Sequence, residues 1–270
     1  MRSFFAIFLF FVTSIAVYGG VVDTVSVYSS VMKKDIKNVV ILPDSYKKAT
    51  NEYPVLYLLH GAGGSYEQWI KSVPELQQLV DTYQMIIICP DGGITSWYFN
   101  SPIDKTMQYE TYVANELVSY VATTYRISKD KSKHAITGLS MGGHGALYLA
   151  FKHQDIWGAA GSMSGGVDLT PFSKGWDLPN RLGEYAENKE VWEKNSVINM
   201  LHLVGKNSPK LIFDCGTNDF FYQQNKALHE KMVYKNIPHD YIERPGSHNW
   251  GYWKNSIQYQ LLFFNTIFKN

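Results

Sequence analysis

Short apolar runs without alternation, each followed by a longer amphipathic stretch, constrain this chain more than any other feature. "YPVLYLLHG" at residues 53–61 and "MIIICPDGG" at 85–93 are apolar at nearly every position of their first halves. A strand with one wet face alternates apolar and polar residues; a strand covered on both faces does not. The intervening "SVPELQQLVDTY" puts Leu76, Leu79 and Val80 on one helical face. "TYVANELVSYVATTY" does the same at positions 113, 117, 118 and 121. The order then repeats. "HAITG" reads as a strand and "GGHGALYLAFKHQ" as a helix, followed by strand-like "GAAGSMSG". "PKLIFDCG" reads as a strand before helical "FYQQNKALHEKMVYKN", and "HDYIERPG" as a strand before the closing helix "WGYWKNSIQYQLLFFNTIF". Such alternation predicts an α/β fold: a mostly parallel central sheet with helices on both faces. At its start, "VVDTVSVYSSV" and "KNVVILP", joined by "MKKDIK", read as an antiparallel pair.

Two segments stand outside this rhythm. In "MRSFFAIFLFFVTSIAVYGG", Arg2 precedes an apolar run from Phe4 to Val17, and small residues follow. This is the pattern of a cleavable signal peptide at residues 1–20, with Gly19 or Gly20 the last residue removed. The run is shorter than the roughly 20 residues a spanning helix needs. The expected mature protein, residues 21–270, is periplasmic or secreted, without stable membrane association once the signal is cleaved. The second segment, residues 164–209, lies between two strands and carries Pro171, Trp176, Pro179 and Trp192 with only short helical patches. A connection of that length inside one domain is usually functional or a small subdomain, and it reads as a cap over the sheet. With 270 residues, the chain suffices for one large domain.

Composition excludes some partners. Formal net charge is +1, and loss of Arg2 leaves equal numbers of acidic and basic residues. No electrostatic argument therefore favours nucleic acid or an anionic membrane. The 19 tyrosines fit either an aromatic-lined pocket or a Tyr-rich core and surface. Cys89 and Cys215 each end an apolar strand and are expected to be buried thiols rather than a disulfide. No cofactor is implied, and no metal-binding spacing such as H-E-x-x-H occurs. Asp91 in "CPDGG", at a strand end, has a cation-binding reading as its alternative, and reads in preference as a turn-stabilising side chain.

Residues 138–142, "GLSMG", match G-x-S-x-G. The pentapeptide alone is weak evidence, but a strand precedes it and a helix follows, as a nucleophile elbow requires. Glycines must flank the serine because the turn leaves no room for neighbouring Cβ atoms. A serine hydroxyl needs a base to take its proton. Sites in open parallel sheets lie beyond the carboxyl ends of the strands. Of eight histidines, His248 in "PGSHNW" sits at that end, whereas His134 and His239 precede their strands. His60 is also at that end, but its glycine-rich neighbours suggest a brace for the loop "HGAGG". A carboxylate must hold the imidazole. Asp219, in the loop "GTND", is placed for this; Asp214, inside its strand, and Asp240 are the alternatives. The order Ser140, Asp219, His248 is that of the α/β-hydrolase fold. The amide of Met141 supplies one oxyanion donor, and Ala62 is the expected second. Neither Ser162 nor Ser164 in "GSMSGG" has a glycine two residues before it and another two after, and no helix follows directly.

At these residues the chain resembles the esterase D-like group of α/β-hydrolases, and within it the carbohydrate esterase family 1 feruloyl and acetyl-xylan esterases. Related branches are S-formylglutathione hydrolase, tributyrin esterase and the mycolyltransferases. The similarity runs through "YLLHGAGGSYEQW", "CPDGGITSWY", "QYETYVANEL", "GLSMGGHGAL", "DCGTNDFF" and "PGSHNWGYW", nearly the whole mature chain. It implies an α/β-hydrolase fold, a triad at Ser140, Asp219 and His248, oxyanion amides at Ala62 and Met141, and substrate contacts from Trp97, Tyr98 and Trp250. Residues 164–209 carry no distinctive family motif. The expected activity is hydrolysis of feruloyl or acetyl esters on plant polysaccharide fragments, so the partner is an acylated carbohydrate or a small ester. The rivals are a general short-chain acyl esterase, an acyltransferase and, from another class, a binding module without catalysis. S-formylglutathione hydrolysis is disfavoured because export separates the chain from cytosolic glutathione.

Overall fold

The computed structural model describes residues 19–269. The expected leader lies outside the described residues except for Gly19 and Gly20. Eight strands form one sheet: β1 (Val21–Ser29), β2 (Lys34–Leu42), β3 (Val55–Leu59), β4 (Ile86–Pro90), β5 (His134–Gly138), β6 (Ala159–Met163), β7 (Lys210–Gly216) and β8 (Asp240–Arg244). Their spatial order is β1-β2-β4-β3-β5-β6-β7-β8. β2 runs antiparallel to both β1 and β4, and every pair from β4 to β8 is parallel. The α/β expectation and the amino-terminal antiparallel pair are thus both present.

The non-alternating runs have a direct physical cause. Val55, Tyr57 and Leu59 of β3 point into one apolar cluster, while Leu56 and Leu58 point into the other. Ile86 and Ile88 of β4 likewise oppose Ile87 and Cys89. Each fully buried aliphatic side chain contributes about 1.5–3 kcal/mol, so both faces must be covered. One face packs on α3 (Tyr109–Thr111), α4 (Val118–Thr124), α5 (Met141–Lys152) and α8 (Tyr222–Tyr234). The other packs on α1 (Gln68–Ser72), α2 (Leu76–Tyr83) and α9 (Trp250–Lys269). Within residues 164–209 lie only short helices, α6 (Pro179–Leu182) and α7 (Lys189–Asn195), with single 3₁₀ turns.

One helix departs from expectation. The regular helix predicted from "TYVANELVSYVATTY" contains a π-helical stretch, Tyr112–Leu117, between α3 and α4. Its wider turn buries Tyr112, Val113, Ala114 and Leu117 together. It also accompanies a bond from the Tyr112 hydroxyl to Asn38 Oδ1 in β2, 2.9 Å. Spacing alone does not reveal such a turn, because 3.6-residue periodicity fits the flanking segments equally well. The two cysteines are free and buried in β4 and β7, with three strands between them in the sheet.

Candidate active site

Ser140 joins β5 to α5 with φ 55° and ψ −118°. This backbone state costs a non-glycine residue on the order of 1–3 kcal/mol and persists only where its surroundings enforce it. Here the enforcement is visible. The Ser140 amide donates to the Met163 carbonyl at 2.9 Å, tying the turn to β6. A Cβ on Gly142 would lie 2.6 Å from the carbonyl oxygens of Leu59 and His60. One on Gly138 would lie 2.6 Å from the Gly142 carbonyl carbon. The flanking glycines are therefore demanded by backbone contacts that side chains cannot share.

His248 lies between β8 and α9, and Asp219 between β7 and α8. Backbone bonds hold the two loops together: Thr217 N to Arg244 O and Asn218 N to Gly246 O, each 2.9 Å. The Asp219 side chain is fully buried. Its Oδ1 accepts the Phe221 amide at 2.8 Å. His248 Nδ1 lies 3.0 and 2.9 Å from the two carboxylate oxygens, and Nε2 lies 2.9 Å from Ser140 Oγ. With Nδ1–H donating to the carboxylate, Nε2 carries the lone pair that faces the serine hydroxyl. The imidazole is boxed by Phe220 and Phe221, with ring centroids at 4.2 and 5.4 Å, and by Trp253 at 4.8 Å. Three loops from the carboxyl ends of β5, β7 and β8 thus converge on one relay.

The loop after β3 completes the floor. Gly61, Ala62 and Gly63 line the same cleft as Ser140 and His248, an opening of about 340 Å³. Among the described residues, neither the Ala62 nor the Met141 amide donates to another loop or to a side chain. Met141 opens α5, where a helical amide has no intrahelical acceptor. Both amides are available to a developing oxyanion. His60 braces this loop. Its Nδ1 lies 2.8 Å from the Gly61 carbonyl, and its Nε2 accepts the Gly92 amide at 2.7 Å. Burial lowers its pKa below the ordinary histidine value, which keeps it neutral for those two bonds. Asp91 Oδ1 accepts the Gly93 amide at 2.8 Å, a local turn bond.

The three expected substrate contacts do not line the cleft. Trp97 and Tyr98 are fully buried, at 1% and 0% exposure. Both adopt left-handed backbone, φ 56° and 60°, which turns their rings inward. The Tyr98 hydroxyl bonds the backbone of His60, at 3.1 Å from its nitrogen and 3.2 Å from its oxygen. Trp97 packs edge-on against His144 and donates Nε1 to the Trp176 carbonyl at 3.3 Å. Trp250 packs edge-on between Trp69 and Trp253. The side chains at the cleft are instead Gln68, Thr95, Leu139, Trp176, Phe220 and Trp253. Two of these were within reach of sequence reasoning. Phe220 follows the acid directly, and Trp253 lies one helical turn beyond Trp250, on the side facing the imidazole. Trp176 had no such signal.

The alternative carboxylates are placed elsewhere. Asp240 is exposed at the opposite end of β8. Asp214 is buried on the α9 face and accepts Ser256 Oγ at 2.5 Å, Gln260 Nε2 at 2.9 Å and Arg244 Nη2 at 3.3 Å. Burial raises its pKa. Asp214→Ala is expected to cost about 3–5 kcal/mol in urea unfolding, because Arg244 loses its buried partner. The folded variant should still react at Ser140 with a fluorophosphonate. Lost reactivity with unchanged stability would instead mark Asp214 as the acid that serves the relay.

Residues 29–264 match the family described as "Putative esterase". The chain belongs to this esterase family. The esterase is also similar over 252 residues to an acetyl esterase of Caldicellulosiruptor saccharolyticus, at 25% identity, covering 86% of this chain and 94% of that protein. A solved ferulic acid esterase aligns with TM-score 0.79 and 27% identity over 93% of this chain and all of the other. The fluorophosphonate-binding serine hydrolase F of Staphylococcus aureus aligns with TM-score 0.82 at 21% identity, over 92% and 99% of the two chains. That last likeness establishes the shared α/β-hydrolase fold.

Proposed function

We propose that this esterase is an exported serine carboxylic ester hydrolase that removes feruloyl or acetyl groups from plant polysaccharide fragments. The observation that carries the chemistry is the Ser140–His248–Asp219 relay, opening on a cleft with two unengaged amides. Ser140 Oγ attacks the ester carbonyl as His248 Nε2 takes its proton. The carbonyl oxygen gains negative charge and is received by the Ala62 and Met141 amides. His248 then returns the proton to the departing alcohol, which leaves an acyl group on Ser140. In the second half, His248 takes a proton from water, the hydroxide equivalent attacks the acyl carbonyl, and the carboxylic acid departs as Ser140 regains its proton. Asp219 holds the imidazole orientation and stabilises its positive form throughout.

Support for the substrate class comes from the relatives, one named an acetyl esterase and one a ferulic acid esterase. The aromatic side chains Trp176, Phe220 and Trp253 at the cleft suit a phenolic acyl group or the face of a sugar ring. Support for export comes from Arg2 and the apolar run Phe4–Val17, outside the described residues. No helix among the described residues is long and apolar enough to cross a membrane.

A panel of p-nitrophenyl acetate, p-nitrophenyl butyrate, methyl ferulate and feruloylated or acetylated xylan fragments tests this reading. Release of ferulate or acetate from the xylan fragments is the expected result. Hydrolysis of the p-nitrophenyl esters alone would replace it with a general short-chain esterase. A mature amino terminus at Gly20 or Val21 is the matching result for export.

A further inference from the structure

Trp176 is the one large side chain that residues 164–209 contribute to the cleft. Its backbone is strained: Trp176 and Asp177 are consecutive non-glycine residues with φ 47° and 63°. Such a pair persists only where neighbouring groups over-determine it. Aromatic packing is part of the restraint. The Trp176 ring stacks on Phe220 with centroids 5.6 Å apart and planes 22° apart, and tilts against Phe172 and Phe221. Yet Trp176 remains 36% exposed and Phe220 50% exposed, so the stack has an open side. Apolar contact is also non-directional and does not specify the backbone turn.

Trp97 Nε1 bonds the Trp176 carbonyl and Asn180 Nδ2 bonds Asp177 Oδ1, and the most extensive polar restraint comes from Arg181. Arg181 in α6 is nearly buried, with 11% of its side chain exposed. Its guanidinium pairs with Asp177 Oδ2, the residue next to Trp176. Asp177 Oδ2 also accepts Thr95 Oγ1 at 3.0 Å. Arg181 further donates from Nε to the Thr95 carbonyl and from Nη2 to Thr95 Oγ1, both 3.2 Å, and from Nη1 to Asp104 Oδ2 at 3.3 Å. Its own carbonyl accepts Ser101 Oγ at 2.6 Å. Thr95 lines the cleft, and the neighbouring Ile94 carbonyl accepts the Gly63 amide at 2.9 Å. One planar fork therefore ties the strained Trp176–Asp177 turn to the loop that adjoins Gly61–Gly63. A lysine, a point charge on a flexible stem, cannot reproduce that set of bonds.

We propose that Arg181 is a positioning residue for ester selection, holding Trp176 as a wall of the catalytic cleft through Asp177 and Thr95. It rests on the reading of the Ser140 cleft as the ester site. Loss of Arg181 lets the Trp176 turn relax, so binding of larger acyl or alcohol groups suffers before the chemistry at Ser140 does.

The test is a double-variant cycle on Arg181→Met, Trp176→Ala and the combination. It uses full steady-state kinetics with p-nitrophenyl acetate and with the largest ester that the wild type hydrolyses. Each single variant is expected to raise KM for the large ester about tenfold, with a smaller change in kcat. The combination should be no worse than Trp176→Ala alone, a coupling of about tenfold. Arg181→Lys should recover only part of the loss. Additive losses, or a fall confined to kcat and equal for both esters, would overturn the proposal. Should Arg181→Met fail to fold, Asp177→Asn, which keeps the size and removes the charge, takes its place in the cycle. Ester hydrolysis by the wild type that Ser140→Ala abolishes upholds the site itself, so additivity then refutes the positioning role alone.

Discussion

Ser140→Ala is expected to lower kcat for p-nitrophenyl acetate by about 10⁴–10⁶, with KM changed far less. Among the described residues, this hydroxyl is the only serine oxygen within bonding distance of the His248 base, at 2.9 Å. Ser162 and Ser164 cannot substitute, because both are fully buried. Residual hydrolysis should reflect the Ala62 and Met141 amides and binding alone. The substitution should leave stability nearly unchanged, since alanine tolerates the elbow no worse than serine does. Rapid mixing should also show no burst of p-nitrophenol, because no acyl-enzyme forms. A variant that retains wild-type turnover would refute Ser140 as the nucleophile.

Asp219→Asn carries the second large effect, a loss of about 10⁴ in kcat. Both carboxylate oxygens lie within 3.0 Å of His248 Nδ1, and Oδ1 also accepts the Phe221 amide. An asparagine can keep the Phe221 bond with its oxygen, which leaves its amide hydrogens facing Nδ1. That arrangement favours the tautomer protonated at Nε2, which has no lone pair for the serine proton. The negative charge that would stabilise the imidazolium is lost as well. The measurement is kcat against pH for wild type and variant, with circular dichroism to confirm the fold. The decisive contrast is Asp214→Ala, where stability falls and Ser140 stays reactive.

Much of the fold was legible because burial on both faces leaves a simple mark. A strand such as β3 must be apolar at every position when Val55, Tyr57 and Leu59 enter one core and Leu56 and Leu58 the other. The relay was legible for a different reason. Its three members sit in short loops at one end of parallel strands, so sequence position relative to a strand fixes the side of the sheet. The π-helical turn at Tyr112–Leu117 left no such mark, since the residues that flank it satisfy ordinary helical spacing.

The aromatic wall of the cleft was not legible. Trp97 and Tyr98 occupy the right loop, but two successive left-handed residues rotate their rings beneath the site, where they bond Trp176 and His60. Trp250 and Trp253 are three residues apart on α9, and only packing against Trp69 decides which of them meets the imidazole. Trp176 reaches the cleft through a turn held by Arg181, which bonds Asp177 nearby and also Asp104 and Thr95, 77–86 residues away in the chain. The sequence by itself determined the sheet, its helical layers and the identities of Ser140, Asp219 and His248, because periodicity, glycine sterics and strand-end position act over a few residues. Tertiary structure alone decided which aromatic rings face the cleft, because side-chain direction there depends on backbone strain and polar bonds between segments remote in the chain.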